Sequence, residues 1–206
     1  MTAKAVAVEC ALRRTDTKDE QLVQVKIDWP VVVERAAPGD LLRFRPDVAA
    51  RIWPVGGGAR FVTDVGIPHS NGLFRMLEEL ADRDPASPET AFDTGLSAEA
   101  VDTPHGRLQP LGVLFQSVVF VHVGDGTVWA CDPDSEIEYE QIHQDVSSLA
   151  YLVYKFQVER PGPEERPSPH DWADMEEIVR EGMERWDALP FTTAFWMSFL
   201  HSNPLL

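Results

Sequence analysis

The sequence has few cysteines and no long hydrophobic run. Two cysteines, Cys10 and Cys131, are too few for a disulfide framework, and neither belongs to a CxxC pair or a zinc-type cluster. We therefore expect a protein of the reducing cytoplasm. The most apolar stretch, 111–123, is interrupted by polar residues and falls short of the ~20 residues that a membrane-spanning helix needs. The first twelve residues match no export signal, so we expect no membrane partner.

Basic residues are also scarce. The 206 residues include 18 Lys and Arg against 34 Asp and Glu, which gives a formal net charge of −16. Nucleic-acid binding requires a basic surface that releases counterions from the phosphates, and adhesion to anionic lipid requires the same sign of charge. The composition therefore excludes a nucleic-acid partner and favours a cationic one.

The acidic residues are concentrated in the second half of the chain. Residues 108–206 contain 17 acidic and 5 basic residues, and the interval 125–145 contains no Lys or Arg. A strand predicted over 136–142 would place alternate carboxylates on one face. One interpretation is an exposed edge that like charge protects from aggregation. The other is a docking surface for a basic partner, formed by Asp132, Asp134, Glu136, Glu138 and Glu140.

The remaining composition is that of a globular domain, with 44% hydrophobic and 25% charged residues. After the glycine loop 56–58, residues 60–63 predict a strand, and no Lys-Ser or Lys-Thr follows that would indicate a phosphate-binding loop. Leucines at helical spacing predict an amphipathic helix over 73–81. From 107 to 143 the pattern predicts an antiparallel meander with a hairpin turn at 124–126.

Three helices are predicted after the meander. The first begins at Asp145 or Ser147 and buries Leu149, Leu152, Val153 and Phe156. The second has Pro169 as its first residue, which suits proline because that position needs no N–H donor. The third begins at Thr192 or Thr193.

Histidines and carboxylates leave a second hypothesis open. No GxSxG motif or recognisable nucleophile–base spacing occurs, so we predict no catalytic residue, cofactor or metal. The alternative is an enzyme or small-molecule-binding protein, which would require His105, His122 or His143 to meet carboxylates or Cys131 in a concave pocket.

Several short motifs occur in an order that resembles a known family. Residues 60–68 resemble the Arg, aromatic, Leu, then Gly-Leu-Pro signature of the SUKH superfamily of bacterial immunity proteins, most closely that of its fourth subfamily. Ile67 replaces the usual Leu and Asp145 the usual Asn, and both keep the apolar or capping role. The other matching motifs are Leu111-Gly112, Gly126-Thr127-Val128-Trp129, Asp145-Val146-Ser147-Ser148-Leu149, Trp186-Asp187 and Phe195-Trp196.

The resemblance implies an α+β fold with an antiparallel-dominated central sheet flanked by helices. It also implies an immunity protein that neutralises a cognate toxin, often a nuclease or a nucleic-acid deaminase, by binding it. Residues 1–35 have no counterpart in the family pattern. We therefore expect an N-terminal extension, 1–35, packed on or near an immunity domain formed by residues 36–206. A cationic toxin agrees with the charge argument, because an acidic protein can substitute for phosphate in a basic groove.

Overall fold

An antiparallel sheet forms the centre of the protein. The computed structural model describes residues 23–36, 39–69, 73–82, 95–114, 117–131, 138–159 and 169–197, with the backbone alone for residues 159 and 169–175. Six strands make the central sheet in the order β3-β5-β6-β7-β8, with β4 also paired to β5. The central strands are β3 (Phe74–Met76), β4 (Val101–Thr103), β5 (Gly106–Leu114), β6 (Ser117–His122), β7 (Val128–Cys131) and β8 (Glu140–His143).

A smaller pair of strands and five helices complete the described fold. β1 (Leu41–Leu42) pairs with β2 (Ile67–Pro68) in a separate two-stranded sheet. Short 3-10 helices occur at Glu78–Leu80 and Leu189–Thr192, and residues 194–197 are helical. The predicted α+β class and the antiparallel meander are confirmed. The helices are α1 (Trp29–Arg35), α2 (Pro46–Ile52), α3 (Gly58–Asp64), α4 (Val146–Glu159) and α5 (Pro169–Glu184).

Strand alternation gives the sheet two different faces. The inner face contributes Val119, Val121, Val128 and Ala130 to the main core, all nearly or fully buried. The residues between them, including Phe120 and Trp129, point to the outer face because successive side chains of a strand alternate. The predicted apolar stripe of α4 is confirmed, since Leu149, Leu152, Val153 and Phe156 are buried in the same core.

Residues 23–35 are part of this core. Val25, Trp29 and Val32 are buried, and the Trp29 ring packs edge-on against Phe61 with 4.9 Å between centroids. The Val25 N–H donates to Ser147 Oγ at 3.0 Å. Residues 1–22 lie outside the described part of the chain, so the predicted N-terminal extension stays a prediction.

Two predicted elements are wrong. Residues 60–63 belong to helix α3 and not to a strand, because the turn buries Phe61 and Val62 together while Arg60 and Asp64 pair at 3.3 Å on the exposed side. Residues 73–81 form strand β3 and a 3-10 turn in place of a helix. β3 pairs with β5 and buries Phe74 and Met76 by alternation, so tertiary pairing overrides the helical leucine spacing.

A close approach of two strands explains the glycine of the Leu111-Gly112 motif. A Cβ atom at Gly112 would overlap the carbonyl oxygen of Arg75 on β3. Gly112 therefore permits β3 to join the sheet at this register.

Candidate protein-binding surface

The residues of the predicted acidic surface fall between β7 and β8 in the chain, up to the first residue of β8. β7 ends at Cys131 and β8 begins at Glu140, and β8 is the last strand in the sheet order. Within the described part of the strand predicted over 136–142, residues 140–142 belong to β8. Asp132, Asp134 and Glu136 lie outside the described residues, whereas Glu138 is described and exposed. The assignment of these carboxylates to a partner surface stays a prediction.

Glu140 makes contacts within the protein. Its Oε1 accepts a hydrogen bond from the backbone N–H of Ala194 and its Oε2 one from that of Phe195, both at 2.8 Å. These donors belong to the first turn of the helical residues 194–197, whose N–H groups have no partner within the helix. Glu140 thus binds residues 194–197 to the edge strand β8. Its place in the alternating acidic run does not reveal this role.

Aromatic rings occupy the outer face of the sheet around β6 and β7. Trp129 on β7 pairs with Phe120 on β6 in register, and the His105 ring lies 4.8 Å from the Trp129 ring. The Tyr139 ring lies 5.7 Å from Phe120 and 6.4 Å from His105. We call His105, Phe120, Trp129 and Tyr139 the aromatic patch. Phe120 is buried, Trp129 and Tyr139 are half-buried, and His105 is exposed.

The turn between β6 and β7 places a carboxylate at the border of the aromatic patch. Asp125 Oδ1 accepts from the Thr127 N–H at 3.0 Å and from the Thr127 hydroxyl at 2.8 Å, and it lies 2.8 Å from His122 Nδ1. Partial burial opposes ionisation of Asp125, but these hydrogen bonds and His122 outweigh it and lower the pKa of Asp125. The carboxylate is therefore charged at neutral pH.

A buried His, Ser and Asp cluster lies on the opposite face, where β8 meets α4. His143 Nδ1 is 2.7 Å from Ser148 Oγ, and Ser148 Oγ donates to Asp187 Oδ2 at 2.5 Å. Because the serine proton is directed to Asp187, Ser148 Oγ accepts from His143 Nδ1–H. The serine thus lies between the histidine and the aspartate, whereas nucleophilic catalysis needs a serine that donates to the histidine. All three residues are buried.

Burial fixes the charges of this cluster. It lowers the pKa of His143 more than the neighbouring Asp187 raises it, so His143 is neutral. Burial opposes ionisation of Asp187 as well, yet the neighbouring His143 ring and the hydrogen bonds from Ser148 and the Gln144 N–H lower its pKa below the usual range. We interpret the cluster as a structural link between β8, α4 and the C-terminal segment, the described residues 185–197 that follow α5.

The histidines of the pocket hypothesis do not converge. His105 contacts Trp129, His122 contacts Asp125, and His143 is buried against Ser148. Within the described part of the chain, no group of three or more His, Cys, Asp and Glu residues could hold a metal ion. No helix among the described residues is long and apolar enough to cross a membrane.

An open cleft of about 640 Å³ lies elsewhere, between α1, the two-stranded sheet and the end of α4. Its polar lining includes Arg35, Asp40, His69, Tyr154 and Gln157. Burial lowers the pKa of His69, and Asp40 opposes this shift. The sequence carried no signal for this cleft, because its residues come from distant segments that share no motif.

The fold defines a class: an α+β protein whose central antiparallel sheet carries an aromatic patch on its outer face and whose β7–β8 connection is rich in carboxylates. The family described as SUKH-4 immunity protein matches residues 31–202 of the chain. The chain therefore belongs to the SUKH-4 immunity protein family, which confirms the resemblance seen in the motifs. No curated protein and no solved structure matches the chain significantly.

Proposed function

We propose that the protein neutralises a cationic toxin of the nuclease or deaminase class in the cytoplasm by binding it stoichiometrically, without catalytic turnover. Membership of the SUKH-4 immunity protein family supports the toxin as partner. The observation that carries the cationic character of this toxin is the interval 125–145, which has seven carboxylates and no Lys or Arg.

The position of the acidic segment supports this role. Asp132, Asp134, Glu136 and Glu138 come between β7 and β8 in the chain, and β8 is the last strand in the sheet order. Like charges close together in a chain repel one another when no basic residue stands among them. A basic partner would relieve this repulsion on binding and would be steered to the segment by its field. Glu140 contributes by holding the edge strand against residues 194–197.

The test uses the product of the neighbouring gene as the candidate toxin, in a catalytically inactivated form. The double variant Glu136→Lys, Glu138→Lys should lower the association rate about tenfold at low salt and reduce its salt dependence. The matched control is Glu177→Lys, Glu181→Lys, which makes the same charge change at two exposed positions of α5. Circular dichroism checks that both variants fold.

Three outcomes separate the parts of this proposal. A slower association for the first variant and not for the control supports the acidic segment. Equal affinity in both folded variants would exclude the acidic segment as the docking surface, while the immunity function would remain supported. If the wild-type protein neither binds the candidate toxin nor protects growth when the active toxin is co-expressed, the immunity function assigned with this toxin is wrong.

Binding of a small molecule is a second candidate, because the open cleft combines apolar walls with Arg35 and Tyr154. A thermal-shift screen with small carboxylates and phosphates would test it. A stabilisation that disappears in Tyr154→Ala would support this function, and no shift with any compound would count against it.

A further inference from the structure

The outer face of the sheet carries a feature that the acidic segment alone does not explain. The aromatic patch combines one buried ring, Phe120, with three rings that keep part of their surface exposed. Tyr139 stands between Glu138 and Glu140 in the sequence, and Cys131, at the end of β7, directly precedes Asp132. The apolar patch is therefore continuous along the chain with the proposed acidic segment.

Hydrogen bonds within the protein hold the patch in place. The Trp129 Nε1–H donates to Thr127 Oγ1 at 2.9 Å, and the Thr127 hydroxyl donates to Asp125 at 2.8 Å. The indole N–H thus has its partner, and the rest of the ring presents an apolar surface. Burial, with smaller effects of Cys131 and Glu138, raises the pKa of Tyr139, so its hydroxyl stays protonated and neutral.

Carboxylates lie on two sides of the patch. Asp125 borders it at the hairpin turn, with 59% of its side chain exposed, and the exposed Glu138 directly precedes Tyr139, ahead of β8. Arg75, a basic residue of the same sheet, is on β3, at the opposite end of the sheet order from β8. An apolar aromatic centre with a charged rim is the usual anatomy of a protein-binding surface, in which Trp and Tyr supply most of the binding energy.

We propose that the aromatic patch is the centre of the toxin-binding surface and that it receives an arginine side chain of the toxin. This inference rests on the proposed immunity function. Arginine fits better than lysine because its planar guanidinium stacks on aromatic rings and can at the same time pair with a carboxylate. The carboxylates at the rim then attract the toxin, and the rings retain it.

The two roles predict different kinetics. Charges at the rim of an interface act mainly on the association rate, whereas a well-packed centre acts mainly on the dissociation rate. Tyr139→Ala and Trp129→Ala should each raise the dissociation rate about 30-fold, the effect of a typical hot-spot truncation, with a small change in the association rate. Raising the salt concentration should leave the ratio of the variant to the wild-type dissociation rate nearly unchanged.

Surface plasmon resonance with the inactivated toxin provides the test. Tyr154→Ala is the matched control for Tyr139→Ala, since both tyrosines are half-buried and Tyr154 lines the separate cleft. Trp186→Ala, at a half-buried position in the C-terminal segment, is the control for Trp129→Ala. If Tyr139→Ala or Trp129→Ala unfolds, His105→Ala provides the test. His105 is exposed in the turn between β4 and β5, and its loss leaves Phe120 and Trp129 in place.

A faster dissociation confined to the patch variants supports the proposal. A single Arg→Lys change at the toxin interface should speed dissociation from the wild-type protein by a similar factor. If this toxin variant dissociates no faster from Tyr139→Ala than from the wild-type protein, arginine is supported as the occupant. If the toxin binds the wild type and the folded patch variants equally, the patch is not the centre, although the immunity function stands. Loss of affinity in Tyr154→Ala alone would move the interface to the cleft. A wild-type protein that binds no toxin would overturn the function and this inference together.

Discussion

Replacing Asp187 by asparagine should destabilise the protein markedly, because three donors converge on this buried carboxylate. Its side chain accepts hydrogen bonds from Ser148 Oγ at 2.5 Å, the Gln144 N–H at 2.9 Å and the Leu189 N–H at 3.0 Å. Ser148 Oγ and the Gln144 N–H share Oδ2, so the amide oxygen of the substituted side chain must take that place. The NH₂ group of the new amide then faces the Leu189 N–H, donor against donor.

The magnitude follows from those contacts. One buried donor left without an acceptor costs about 1–3 kcal/mol. A hydrogen bond to a charged group contributes about 1.5–3 kcal/mol, and part of this contribution is lost when the charge is removed. We expect the free energy of unfolding at pH 7 to fall by about 3 kcal/mol, a large share of a typical total of about 5–15 kcal/mol. Urea denaturation followed by tryptophan fluorescence and by circular dichroism measures it.

The pH dependence gives an independent check with a definite sign. The folded-state pKa of Asp187 is lowered from its reference value of 3.8, so its contribution is present above that pH and is lost as pH falls through the folded pKa. The wild type should therefore lose stability in strong acid more steeply than Asp187→Asn. Glu181→Gln, the same chemical change at an exposed position, should alter stability by less than about 0.5 kcal/mol. A loss below about 1 kcal/mol in Asp187→Asn would refute the reasoning.

Two more predictions concern neighbouring groups. Burial keeps the folded-state pKa of His143 below 6.5, so the unfolded chain binds a proton first and wild-type stability should fall as pH drops below 6.5. His143→Phe should flatten that dependence in urea titrations between pH 7 and 5, and a slope identical to wild type would contradict the assignment. Glu140→Gln weakens the acceptor for the Ala194 and Phe195 N–H groups and should cost about 1 kcal/mol, typical of a lost helix cap. Amide hydrogen exchange at Ala194 should then speed up, and unchanged exchange would exclude the capping role.

The sequence predicted the meander and helix α4 well because local signals and tertiary packing agree there. Glycines at the turn between β6 and β7, strand alternation and the Asp145 cap all indicate the observed elements. It failed at 73–81, where leucine spacing predicts a helix while pairing with β5 imposes a strand. Pairing between distant segments cannot be read from a local period.

The candidate site shows the same limit. The acidic run is visible in the sequence, but the aromatic patch is not, because His105, Phe120, Trp129 and Tyr139 come from four different elements or connections. Only the register of β6 with β7, and the turn that carries His105, bring these rings together. The roles of Glu140 and Asp187 were equally hidden, since a carboxylate that caps a backbone and one that faces a partner look alike in sequence.

Three of the four carboxylates that the structure describes in the interval 125–145 accept hydrogen bonds from backbone N–H groups. Asp125 is tied to Thr127, Glu140 to residues 194 and 195, and Asp145 to the start of α4 and to the Gln24 N–H at 2.7 Å. Hydrogen bonds to backbone N–H groups therefore stabilise the charge of these three in the free protein, and of the three Asp125 also borders the aromatic patch. The remaining four, Asp132, Asp134, Glu136 and Glu138, are consecutive in the run. If a toxin binds here, these four and the exposed Asp125 should account for most of the salt dependence of binding, whereas neutralising Glu140 or Asp145 should lower stability more than it lowers the association rate.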